Sequence, residues 1–214
     1  MGPRGVEGKP VEPRSVAESR VEMVELVLPN DANPLGDLLG GKVMHLVDIA
    51  AAIAAHRHCR CPVVTASVDR IDFLHQVRVG QIIILQASVN HAAHTSMEVG
   101  VKVLSEDLDT GARLHTASAY ATFVALDQSG RPATVPPLIL ETGEDRRRFR
   151  EAGGRREVRL REREERRERL RDESSGDRPG NEADRGTNQA GERTRLVNVD
   201  KPAPGGRVTE GGRS

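Results

Sequence analysis

Asp48 stands in the run LVDIAA, a single carboxylate among residues that are almost all apolar. A carboxylate in such surroundings is costly unless it is bonded or used, so two roles are open to it. It is either a helix-face group bonded to a neighbouring backbone or Arg, or a general base or nucleophile in a water-poor cleft. Upstream lie Asn33, in NDANPLG, and Gly40 and Gly41, where the helix carrying Asp48 is expected to start. A helix N-terminus offers unpaired N–H groups and partial positive charge, and glycine lets a carbonyl come close, so Gly40 and Gly41 are candidates for holding an oxyanion. Asn33 carries a donor and an acceptor, and could polarise a carbonyl or orient a water; an Asx turn ahead of Pro34 is its other use. Together these residue types suit acyl transfer.

A second cluster, HRHCRC, brings His56, His58, Cys59 and Cys61 close together. Imidazole and thiolate are zinc-type ligands, but the C-x2-C spacing is missing and the cluster falls where a helix runs into a strand, so no metal is expected.

The elements that must carry these residues are readable from periodicity. Val21 to Leu28 reads as a strand closed by the turn-rich PNDANPLG. GGKVMHLVDIAAAIAAHRHC, from 40 to 59, has no proline and is apolar on nearly every face, which predicts a helix buried on most sides. Strand-like runs follow at 63–71, 82–91, 96–105 and 112–126. In the third, Met97, Val99, Val101 and Val103 alternate with Ser96, Glu98, Gly100 and Lys102. The turn signal DLDTG at 107–111 joins it to the fourth as a long antiparallel hairpin. One buried helix and an antiparallel meander make an α+β domain whose sheet must wrap the helix.

Composition sets the limits of that domain. Of 214 residues, 36% are hydrophobic and 30% charged, with 32 Lys+Arg against 32 Asp+Glu. A net charge of zero removes the overall basicity that nucleic-acid binding would show, and no apolar run approaches the length of a membrane span, so neither partner is expected. The start, MGPRGVEGKP, has no apolar leader and the two cysteines are too close for an ordinary structural bridge; a reducing cytoplasm is the expected location. Residues 1–18 read as a disordered arm, 19–148 as the folded domain, and 149–214 as a charged, mostly disordered tail in which RREVRLREREERRERLRDE could form a solvated helix.

The ordered set of motifs resembles the hotdog-fold acyl-CoA thioesterases, in the acyl-CoA hydrolase branch. The likeness is carried by NPLGDLLGGKVMHLVDIAAAIAAHRHC, VVTASVDRIDF, TSMEVGVKV, ASAYATFVALDQSGRPATVPPL and ETGEDRRRF. It implies a long central helix wrapped by a five- to six-stranded antiparallel sheet, and hydrolysis of fatty acyl-CoA to free acid and coenzyme A with no cofactor. Asn33 and Asp48 would carry the chemistry, with Thr95, Ser96, Arg155 and Arg156 on the phosphates of coenzyme A. It further implies a homodimer, assembled as a trimer of dimers, in which Asn33 of one protomer faces Asp48 of the other. Two alternatives are a non-catalytic acyl-CoA or acyl-carrier binding module and an enoyl-CoA hydratase of the same fold. For the latter, DANP matches the start of its signature, but Gly36 stands where its catalytic His belongs.

Overall fold

A computed structural model describes residues 11–176 of the chain. Residues up to Leu170 form one compact unit. Its centre is a five-stranded antiparallel sheet wrapped on a single long helix. In chain order the elements are β1 (Arg14–Ser15), α1 (Val16–Ser19), β2 (Val21–Leu26), a 3-10 turn at Pro29–Asp31, α2 (Gly40–Cys59), β3 (Val63–Phe73), β4 (Ile82–Ala92), β5 (Ser96–Glu106), β6 (Arg113–Ala125), β7 (Leu138–Ile139) and α3 (Gly143–Gly176). The sheet order is β2-β4-β5-β6-β3, which leaves β3 as one edge, and β1 pairs separately with β7. The expected hotdog architecture is therefore present. Among the described residues no helix is long and apolar enough to cross a membrane.

The alternation of β5 sets the two faces of the sheet. Met97, Val99, Val101 and Val103 are each no more than 2% exposed and pack on α2. Four alanines of α2, Ala50, Ala51, Ala54 and Ala55, are fully buried, which lets the sheet approach the helix closely. Burial of α2 is not complete, however: Met44, His45, Ile53 and His56 face solvent within one chain.

Two boundaries differ from the reading of the sequence. Within the span expected as a disordered arm, Arg14 and Ser15 pair with Leu138 and Ile139, and Val16 is buried, as is Ser19 just beyond it. Local signals explain this: the Ser15 amide donates to Glu18 Oε1 at 3.1 Å, and Ser19 Oγ accepts the amide of Val89 at 3.0 Å where β2 no longer reaches β4. At the other end α3 runs from Gly143, inside the expected domain, to Gly176, through the part of the expected tail read as a solvated helix. It opens on a reciprocal cap, in which the Thr142 amide donates to Asp145 Oδ2 and the Asp145 amide to Thr142 Oγ1. Its first half lies on the outer face of the sheet, bonded to Ser88 and Glu98. Residues 1–10 and 177–214, also assigned to arm and tail, lie outside the described residues.

Candidate active site

Asn33 sits in a loop whose geometry its own side chain maintains. Its Oδ1 accepts from the amides of Leu35 (2.9 Å) and Asp37 (3.1 Å), and its backbone N–H donates to the Asp37 carbonyl at 2.8 Å. Gly36, at φ +82°, makes the reversal that only a residue tolerant of the left-handed region allows. The loop is tied to its neighbour through Leu38 N to Val77 O (2.7 Å) and Val79 N to Gly36 O (3.0 Å). The turn role of Asn33 is thus real, and it leaves the side-chain NH2 as the group available to a ligand. Asn33 can donate to a carbonyl or a water.

The loop leads into α2, whose N-cap residue, Leu39, makes no side-chain bond to the first turn. The amides of Gly40 and Gly41 occupy that first turn, where no intrahelical acceptor exists. A Cβ on Gly41 would meet nothing within 4 Å, whereas one on Gly40 would touch the Phe73 ring at 3.6 Å. Among the described residues nothing therefore fills the Cβ side of Gly41.

Asp48 is half-buried rather than enclosed, because it lies on the margin of the open face of α2. Its Oδ1 accepts the hydroxyl of Thr65, on β3, at 2.8 Å. That bond fixes the carboxylate and leaves Oδ2 for a water or substrate. Thr65 was not singled out from the sequence, since a threonine is expected in any strand. The signal that could have found it is its place in VVTASVD, on the strand that flanks the Asp48 helix.

Gly41 and Asp48 are seven residues apart on one helix, or about 10 Å along its axis at ~1.5 Å per residue. An oxyanion donor and an attacking group must each come within about 3 Å of the same carbonyl. No hydrogen bond joins Asn33 to Asp48 within the chain, among the described residues. Within one protomer Gly41 and Asp48 therefore stand about two helical turns apart on α2.

On the outer face, a cleft of about 900 Å³ opens between the sheet and α3. Thr95, Ser96 and Arg156 line it together with His91, Arg163 and Arg166. Burial holds the His91 imidazole below its usual range; Arg156 and Arg159 act in the same direction, against Glu98. The ring stacks on Phe149 with centroids 4.7 Å apart. Arg155, expected beside Arg156, is turned elsewhere. Its guanidinium holds Glu98 at 2.7 Å and lies 3.7 Å from the Tyr120 ring centroid. Arg155 is thus engaged by Glu98 and does not line the cleft.

The HRHCRC cluster is occupied structurally. His58 is fully buried with Nε2 on the Pro136 carbonyl (2.8 Å), and Cys59 Sγ donates to the Cys61 carbonyl at 3.3 Å. Burial, with the neighbouring Cys61 thiol, pushes the Cys59 thiol up to about 12. Among the described residues no three His, Cys, Asp or Glu side chains are grouped to hold a metal ion.

A family model described as the thioesterase superfamily matches residues 35–112. The acyl-CoA thioester hydrolase YkhA of Bacillus subtilis (strain 168), described as uncharacterized, is 43% identical over 134 residues, 63% of this chain and 78% of that protein. The chain belongs to the hotdog-fold acyl-CoA thioesterases, in their acyl-CoA hydrolase branch. The cytosolic acyl coenzyme A thioester hydrolase of Rattus norvegicus is 38% identical over 146 residues, and this chain spans only 38% of its length. Among solved structures, an apo-hexameric acyl-CoA thioesterase aligns at TM-score 0.69 and 41% identity, covering 71% of this chain and 97% of that one. The acyl-CoA hydrolase of Staphylococcus aureus, in complex with butyryl coenzyme A, coenzyme A and coenzyme A disulfide, aligns at TM-score 0.70 and 35% identity, covering 74% and 96%. Alanine variants of one Asn, one Asp and one Thr of that protein have also been solved; there the Asp follows the Asn by 15 residues and the Thr follows the Asp by 17. Asn33, Asp48 and Thr65 of this family member have the same two spacings.

Proposed function

We propose that this chain hydrolyses acyl-CoA thioesters to a free acid and coenzyme A, using Asp48, Thr65 and Asn33. The single observation that carries the assignment of roles is the Asp48 carboxylate, fixed through one oxygen by Thr65 and open at the other. Water adds to the thioester carbonyl, the C–S bond breaks, and the thiolate leaves with a proton. Asp48 either removes the proton from that water, or itself attacks the carbonyl and expels the thiolate, leaving an acyl-aspartyl anhydride that the water then hydrolyses to free acid and restored carboxylate. The Asn33 NH2 and the Gly41 amide, with Gly40 beside it, hold the oxygen on which negative charge develops.

The separation of Gly41 from Asp48 along α2 supports a site shared between two copies, Asn33 and Gly41 of one protomer serving Asp48 of the other. The edge strand β3 and the open face of α2 expose Met44 (50%), Ile53 (39%), Val64 (47%) and Val68 (45%), an apolar surface suited to that pairing. The solved relative described as hexameric supports a homo-oligomer, for which we propose three such dimers. Thr95, Ser96 and Arg156 are the proposed contacts of the coenzyme A phosphates. Arg155 is reassigned from those contacts to holding α3 in place. No cofactor is required by this chemistry, and a cytoplasmic setting suits the substrate.

The test is release of free thiol from a panel of straight-chain acyl-CoA esters. Turnover with any of them is the expected outcome. Binding of the same esters without thiol release would make the chain a non-catalytic acyl-CoA module.

A further inference from the structure

Glu98 sits on the outer side of β5, where alternation alone would leave it in water, yet it is only 2% exposed. Its two oxygens are fully engaged. Arg155 bonds both of them, at 2.7 Å to Oε1 through Nη2 and at 3.2 and 3.3 Å through Nε, while Arg159 reaches Oε2 at 2.9 Å. Arg159 also bonds Asp69 on β3, and Arg155 lies on the Tyr120 ring of β6. A buried carboxylate is an expensive way to cover a sheet, because apolar side chains would do so without desolvating charge. What it offers instead is direction. Two arginines one turn apart, converging on one carboxylate, determine both the rotation and the axial position of α3.

That position has a consequence on the same helix. Arg156, Arg159, Arg163 and Arg166 fall within a sector of about 80°, and all four line the cleft that holds Thr95 and Ser96. Arg159 is engaged by Glu98 and Asp69, and Glu162 also borders the cleft. Among the described residues, Arg156, Arg163 and Arg166 have no carboxylate within ion-pair distance. A slip of α3 by one residue would turn these three by about 100° and carry them out of the cleft.

We propose that Glu98 is a positioning residue for the phosphate end of the substrate: through Arg155 and Arg159 it sets α3 so that Arg156, Arg163 and Arg166 face the phosphates of coenzyme A. This rests on the reading of that cleft as the phosphate site. Glu98 borders the same cleft, but both of its oxygens are held by Arg155 and Arg159, so its removal acts on affinity for the nucleotide end and not on bond cleavage.

The experiment compares Glu98→Ala and Glu98→Asp in the full chain, with an acyl-CoA and with the same acyl group on pantetheine, which lacks the nucleotide. For Glu98→Ala the expected result is a KM for acyl-CoA raised about tenfold, equivalent to ~1.4 kcal/mol, with kcat within twofold and KM for acyl-pantetheine unchanged. Glu98→Asp should recover part of the loss. An unchanged KM, or one raised equally for both esters, overturns the proposal. Should Glu98→Ala fail to fold, Glu98→Gln keeps the size and one acceptor while removing the charge, and the same comparison decides. The double variant Arg156→Ala, Arg163→Ala tests the underlying reading separately. If it leaves KM for acyl-CoA unchanged, the cleft is not the phosphate site; if it raises KM while Glu98→Ala does not, only the role of Glu98 falls.

Discussion

Replacing Asp48 by Asn is the sharpest test of the chemistry, because the structure separates what that change removes from what it keeps. In wild type, Asp48 Oδ1 accepts the Thr65 hydroxyl at 2.8 Å. An asparagine oxygen can accept the same bond, so the side chain stays in place while the anion is lost. The position is half-buried and not part of the packed core, so the melting temperature should move little, on the order of the ±0.5 kcal/mol of an ordinary surface change. Turnover should fall about 10² to 10⁴-fold, the range for losing a general base. Thr65→Ala makes the complementary change, keeping the anion and removing what fixes it. A hydrogen bond to a charged group contributes ~1.5–3 kcal/mol, so kcat should fall about 10- to 100-fold. Continuous thiol release under saturating acyl-CoA gives both numbers, and thermal unfolding checks the fold. The reasoning is refuted if Asp48→Asn turns over near normally with an unchanged melting temperature. It is also refuted if Thr65→Ala is the more damaging of the two, for then the hydroxyl is the reacting group.

Gly41→Ala should raise stability by up to about 1 kcal/mol on helix propensity, since a Cβ there meets nothing in the chain. The same methyl should displace a carbonyl seated on that amide, and a misplacement of ~1 Å lowers turnover about 10²-fold; full activity in this variant would remove Gly41 from the site. Asn33→Ala and Asp48→Ala, each inactive alone, should regain about a quarter of wild-type activity when co-refolded, since half the dimers would be mixed and each would carry one working site of two. Mixed dimers that stay dead would place the two residues in separate sites. Burial holds the His58 imidazole below its usual range, against the bond to Pro136, and Nδ1 has no partner. The folded state therefore resists a proton that the unfolded chain accepts from about pH 6.5 downward, so this contribution to stability is complete above that pH and is lost as pH falls towards the folded-state value. His91 acts with the same sign. Melting temperature should thus drop between pH 7.5 and 5, and less so in His58→Gln; an equal drop in that variant would exonerate His58.

The long helix of the sheet's core was legible to the residue: Gly40 to Cys59 begins at two glycines and ends at Arg60, whose left-handed φ of 56° caps it. The inner row of β5 was legible for the same kind of reason, since Met97 and its three valines repeat at the period of a strand. What escaped depends on contacts between distant parts of the chain. Glu98 reads as a solvent-facing residue until α3 covers it, and α3 reads as a solvated run because its contacts with the sheet come from few apolar residues, Phe149 and Ala152, and from arginines on one buried carboxylate. The arm at 14–19 is too short to show a period and is held by partners at 89 and 138–139. Asp48 looked enclosed because its neighbours in sequence are apolar, whereas helix geometry sets it at the margin of an open face. Which oxygen or nitrogen of Asn33 is free follows only from the turn that the loop adopts.

In the proposed dimer, the uncovered side of α2 would make protein concentration a thermodynamic variable. A helix that leaves Met44 and Ile53 in water within one chain would gain their burial on pairing, and mass action would then tie folding to assembly. In the proposed dimer each tenfold dilution would remove ~1.4 kcal/mol from the free energy of the assembled state per mole of dimer. Specific activity would fall on dilution with no residue changed, and added substrate bridging both halves of the site would restore it. A cell could thus set the activity of such an enzyme through its abundance alone.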